Sequence, residues 1–277
     1  MASVLFPVQV AAEAPARIRG MISGPDRPAN VLGRFATALY LRLAEGEVIA
    51  LLSSDAVRLA IGLILPTSSR EVPLSCLRGP VVVGSGAVRI GDWSCRVSRL
   101  VSARAPAALT PDRHACEHVW HRLDRYHSAD SDVGLPHPSS VDVYSPEVSG
   151  DLVRRLLGVG PGLTPAGDDV LAGLLVGLWS FGQSVEPLRL AVLAGLPAGT
   201  TDLSAALLRC AVRGESIPQV NRLLRTISGS RWQGRLDQTL DDLARVGHTS
   251  GAALATGVLA AATIALGDRQ QALTGAG

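Results

Sequence analysis

The chain changes character at Arg104-Ala105-Pro106, and that change decides what it can fold into. Before it, Val31–Leu43, Glu47–Ser53 and Trp93–Val101 are rich in Val, Ile, Leu and aromatics and mix apolar with polar positions, as half-buried strands do. Glu45-Gly46, Gly84-Ser85-Gly86 and Gly91-Asp92 are turn sequences of the kind that join hairpin strands, and Pro66, Pro73 and Pro80 confine the segments between them to edges or loops. After it the periodicity is helical. Thr110-Pro111-Asp112 and Ser145-Pro146-Glu147 each offer an N-cap hydroxyl, a first-turn proline and an acid. Ser128–Ser140 between them reads as a polar loop, and about five helices follow Asp151, ending near Leu266. The expected fold is therefore α+β: a β-rich domain over 1–104, a small antiparallel sheet or barrel, then an all-helical domain over 105–277.

Composition narrows the function classes. With 47% apolar and 18% charged residues the chain buries a substantial core, which excludes intrinsic disorder. A net charge of +2 argues against nucleic-acid and membrane-surface binding. All 26 basic residues are arginine, so neither a lysine Schiff base nor a P-loop lysine is available. Cys76, Cys95, Cys116 and Cys210 include no C-x-x-C pair, so neither a zinc ribbon nor a dense disulfide framework is expected. Val170–Gly182 is too short to span a bilayer and Ala252–Gly267 falls just short, so both read as buried core helices. Pro7, Glu13 and Pro15 interrupt the apolar start, and a cytoplasmic location is expected.

The most informative segment runs from Gly158 to Gly173, Gly-Val-Gly-Pro-Gly-Leu-Thr-Pro-Ala-Gly-Asp-Asp-Val-Leu-Ala-Gly. Gly158, Gly160 and Gly162 let a ligand approach the main chain, Thr164-Pro165 reads as a cap with a first-turn proline, and Gly167 follows. The N–H groups of that first turn, at the positive end of the dipole, suit an anion. Asp168 and Asp169 stand about 100° apart around the helix. The pair suits holding Mg²⁺ against a bound phosphate, or one of the two acting as general base.

Two further helix starts carry polar groups. In Gly199-Thr200-Thr201-Asp202-Leu203-Ser204, Thr200 or Thr201 caps the helix and Ser204 lies one turn in. In Gly247-His248-Thr249-Ser250-Gly251, a histidine and two hydroxyls precede the last apolar helix. Small residues at four-residue spacing, Gly173 with Gly177 and Gly247 with Gly251 and Ala255, let two helices approach closely. If those two run side by side in the same direction their starts converge. The site read from this pattern has Asp168, Asp169 and His248 as catalytic groups. Gly160, Gly162, Thr164, Gly167, Thr200, Thr201, Ser204, Thr249, Ser250 and Gly251 bind substrate or anion.

The segment Gly160–Asp169, with the later Gly247-His-Thr-Ser-Gly, resembles the AllH family, one subunit of a bacterial oxamate carbamoyltransferase of allantoin (purine) breakdown. The order and spacing extend weakly over the chain, including the β-rich opening and the Thr200-Thr201 helix start. Ala166 and Thr249 stand where the family commonly has serine. The resemblance implies carbamoyl transfer between an oxalurate-like ureido acid and phosphate, with partner enzyme subunits. A noncatalytic subunit that binds a small anion and regulates a partner is the reading from another class. Ala166-Gly167-Asp168 is also similar to the turn of ribokinase-type sugar kinases, where the aspartate is the catalytic base of phosphoryl transfer; the chain lacks the strand–helix alternation of that fold.

The remaining constellations are weaker. His114, His118 and His121 recur on one helix near Cys116, but without H-E-x-x-H and with Arg113, Arg122 and Arg125 beside them they read as a polar face. Arg222, Arg225, Arg231 and Arg235 read as a solvated face. No arginine lies inside the three motifs; Arg34 and Arg209 are the candidates to fold over from elsewhere in the chain.

Overall fold

The computed structural model describes residues 9–130 and 145–274; the end of the polar stretch Ser128–Ser140 falls outside the described residues. The chain divides into two compact units, Met1–Ala103 and Arg104–Gly277.

The first unit is a closed barrel of β1 (Gln9–Pro15), β2 (Arg27–Arg34), β3 (Ala38–Leu43), β4 (Val48–Leu52), β5 (Gly62–Ile64), β6 (Val81–Gly84), β7 (Ala87–Ile90) and β8 (Trp93–Val101), in the order β1-β5-β4-β3-β2-β6-β7-β8. Two of its pairings, β1 with β8 and β4 with β5, are parallel, so the expected antiparallel sheet becomes a mixed barrel. Closing the sheet removes its free edges. The anticipated turns fall at the hairpins β3–β4, β6–β7 and β7–β8, and Ser85 in the second takes a φ of 51°. The run Val31–Leu43 is two strands broken at 35–37. Alternating Leu39, Leu41 and Leu43 fill the interior, while all five residues of β4 are buried. Helix α1 (Ala16–Ile22), which periodicity did not reveal, buries Ile18 and Ile22.

The second unit is helical: α2 (Arg113–Asp130), α3 (Pro146–Leu156), α4 (Ala166–Ser180), α5 (Glu186–Gly199), α6 (Asp202–Ala211), α7 (Pro218–Ile227), α8 (Leu236–Ala244) and α9 (Ser250–Thr274). The expected caps shift slightly. Asp112, not Thr110, caps α2 by accepting from Ala115 N at 2.9 Å. Ser145 holds the N-cap position of α3, but its hydroxyl turns to Glu147. α4 is apolar almost all round and forms the centre of the unit, packed on α9, α6, α3 and α7. α9 is longer than the sequence suggested. Ser250–Asp268, of mean hydropathy 1.6, has the length and composition of a membrane span, yet it lies in this core with Ala253, Leu254, Val258, Leu259 and Ala261 buried.

α4 and α9 run parallel with their backbones in contact. A Cβ on Gly173 would overlap the carbonyl of Leu254, and one on Gly257 would overlap that of Val170. The glycine that α9 offers α4 is therefore Gly257, not the expected Gly247 or Gly251. Gly251 instead packs on Leu243 at the end of α8, and Gly247 turns the chain at φ 62°.

Candidate functional site

Parallel packing of α4 and α9 brings their starts together, and α6 joins them. Thr164 Oγ1, just ahead of α4, lies 3.3 Å from Ser250 Oγ, the first residue of α9. Thr201, the N-cap of α6, accepts from Ser204 N at 3.1 Å and donates its hydroxyl to the carbonyl of Leu163 at 2.5 Å. The loop 158–165 is thus held by α6 on one side and α9 on the other.

The two acids differ sharply. Asp168 is 1% exposed, and both its oxygens are occupied: Oδ1 accepts from Gly158 N at 2.7 Å, and Oδ2 accepts from Thr200 Oγ1 and from Ser204 Oγ. Three donors, one in the glycine run and two at the start of α6, make it a structural tie. Asp169 is 8% exposed, and its Oδ2 is buried without a hydrogen-bond partner. Burial pushes its carboxyl up to about 7; the adjacent Asp168 charge adds to the rise, and a hydrogen bond from Ser250 opposes it. Among the described residues no hydrogen bond or ion pair joins an arginine to either acid. A buried carboxyl with an unsatisfied oxygen is costly, and such groups concentrate where chemistry is done.

The first turn of α4 offers less to an anion than expected. Pro165, rather than Thr164, holds the N-cap position, which frees the Thr164 hydroxyl for Ser250. Gly167 N donates to Val159 O at 2.9 Å, and Asp168 N and Asp169 N donate to Pro165 O. Gly160 is folded against Ala166 N, where a Cβ would come within 2.8 Å. Gly167 is needed for close approach to the end of α3, since a Cβ there would overlap the carbonyl of Leu156. Gly162, at φ 92°, is exposed with open space around it, between exposed Val159 and Leu163. His248 and Thr249 are exposed in the turn before α9, and no hydrogen bond joins His248 to either acid. The structure therefore gathers Thr164, Asp168, Asp169, Thr200, Thr201, Ser204 and Ser250, and leaves Gly162, His248 and Thr249 at the surface.

Sequence reasoning missed two partners, the Gly158 N–H that binds Asp168 and the Leu163 carbonyl that takes the Thr201 hydroxyl. Both lie inside the glycine run, and only the fold shows which main-chain groups face inward.

The acid pair does not make the Mg²⁺ site envisaged. Asp168 already accepts three hydrogen bonds on its two oxygens, which leaves Asp169 as the carboxyl of the pair with an unpartnered oxygen. Among the described residues no three His, Cys, Asp or Glu side chains gather as metal ligands. His114 and His118 pair with Glu117 and Asp237 instead. The same engagement of Asp168 removes it as the base of a sugar-kinase reaction, and the mixed barrel with a helical unit is not a doubly wound kinase fold. Arg209 is exposed on α6.

The three helix starts of the helical unit surround a buried carboxyl with an unpartnered oxygen. Residues 156–262 match the AllH family, described as oxamate carbamoyltransferase subunit AllH. The match bears out the resemblance read from Gly160–Asp169 and Gly247–Gly251, and takes in all three helix starts. The barrel lies outside the matched residues. No solved structure matches the chain.

Proposed function

We propose that this chain is a cytoplasmic carbamoyltransferase subunit that acts with partner subunits on a small ureido acid of the oxalurate type and phosphate. One observation carries the reading: Asp169, a buried carboxyl with an open oxygen, stands where the family-matched segments converge. In the phosphorolytic direction a phosphate oxygen forms a bond to the carbamoyl carbon, and the bond from that carbon to the ureido nitrogen breaks. The departing nitrogen, a poor leaving group as an anion, takes a proton. Asp169, near half-protonated at neutral pH, supplies it and regains it in reverse. Thr164 and Ser250 line the approach with hydroxyls. With no arginine bonded at the acids, the cationic side chains that hold the oxyanions come from a partner subunit.

The test is formation of carbamoyl phosphate from oxalurate and phosphate, by the chain alone and with its co-encoded partners. Turnover only in the complex is the expected result. Tight binding of a small anion with no turnover in any combination would replace this reading with that of a regulatory subunit.

A further inference from the structure

We propose that Asp169 is the specificity-determining residue that docks the uncharged carbamoyl group, its O–H donating to the carbamoyl oxygen and its carbonyl oxygen accepting the neighbouring N–H. This rests on the carbamoyl-transfer reading and adds which end of the substrate the site takes: the O–H bonds the carbamoyl oxygen in the ground state and turns to the ureido nitrogen on the same carbon as that C–N bond breaks. A protonated carboxyl and an amide are complementary, because each presents one donor and one acceptor along one edge. The geometry favours that partner over an anion. Asp169 is 8% exposed, its Oδ2 has no partner, and the adjacent Asp168 accepts three hydrogen bonds with no arginine bonded to it. A phosphate or carboxylate set here would meet negative charge without a compensating cation, and the first-turn N–H groups of Gly167, Asp168 and Asp169 are already bonded to Val159 and Pro165. A neutral amide meets no such penalty and satisfies the open oxygen. Oδ2 turns toward a ligand by rotation about the soft terminal torsion of the side chain.

The experiment uses the full chain and ligand-observed NMR, with N-methylurea as the neutral probe and inorganic phosphate as the anionic one. Wild type is expected to bind N-methylurea. Asp169→Asn, which keeps one donor and one acceptor, should bind within about threefold of it. Asp169→Leu should bind at least about tenfold more weakly, the loss of about 1.4 kcal/mol. Phosphate binding should be the same in all three. Circular dichroism checks each fold, and Asp169→Ala serves if the leucine variant is poorly folded. Equal N-methylurea binding by wild type and Asp169→Leu, no binding by wild type, or phosphate binding that changes with residue 169 would each overturn the proposal. Probe binding of the expected pattern without turnover in any complex would leave this inference standing and remove the transferase reading. Turnover with the wrong binding pattern would do the reverse.

Discussion

Asp168 and Asp169 are neighbours in the chain, yet the first accepts hydrogen bonds from Gly158, Thr200 and Ser204 while Oδ2 of the second accepts none. The turn of about 100° between successive helical residues sends one carboxyl toward α6 and the other toward α9. One acid therefore ties the segments together, and the other keeps an unpartnered oxygen.

Replacing Asp168 should be a folding defect first. Asp168→Ala takes the acceptor from a half-buried main-chain N–H, a half-buried hydroxyl and the buried hydroxyl of Ser204. A loss of about 3 kcal/mol is expected, and somewhat less for Asp168→Asn, which keeps one acceptor oxygen. Urea denaturation measures it. An alanine variant within about 0.5 kcal/mol of wild type would show that Asp168 does not tie these segments together.

Asp169 should make stability fall as pH rises. Its carboxyl is shifted from 3.8 to about 7 in the folded chain. Below about pH 4 both states hold the proton and there is no effect. Between about 4 and 7 the unfolded chain releases the proton and the folded chain keeps it, so the folded state loses ground with each pH step and levels off above 7. The full span is on the order of 4 kcal/mol. Asp169→Asn abolishes this component, so its advantage over wild type should grow between pH 4 and 7. A wild-type-to-Asn difference that stays constant over that range would mean the carboxyl titrates normally.

Two glycines of the loop should respond differently. Gly167→Ala drives a methyl group into the Leu156 carbonyl, where neither backbone can yield, and should cost about 3 kcal/mol. Gly162→Ala enters open space and pays only for its left-handed φ of 92°, about 1 kcal/mol. Thermal melts rank them, and the reverse order would mean that α3 and α4 are not in backbone contact at Gly167.

Much of this was legible because local chemistry and fold agree. The change from strand to helix at Arg104–Pro106, the hairpin turns and the three polar helix starts follow from period, glycine and capping residues. The short strands β5, β6 and β7, three or four residues each, carry too few positions to show a period, and barrel closure by parallel pairing of β1 with β8 is a long-range contact. In the candidate site, the segment named residues that the fold brings together, such as Thr164, Asp168 and Asp169, but could not divide the acids. Which carboxyl is satisfied depends on Thr200 and Ser204, more than thirty residues away, and which glycine meets α4 depends on the rotation of α9. His248, grouped with the site by its place in the motif, is exposed in a turn.

Phosphorolysis of oxalurate by the partner-bound chain, comparing wild type with Asp169→Asn at saturating substrate, tests the central claim most directly. The asparagine variant should fold, assemble and dock the carbamoyl group, yet lose about 10²–10⁴ in kcat because it has no proton to give the departing nitrogen. Wild-type kcat in an assembled Asp169→Asn complex would contradict the account.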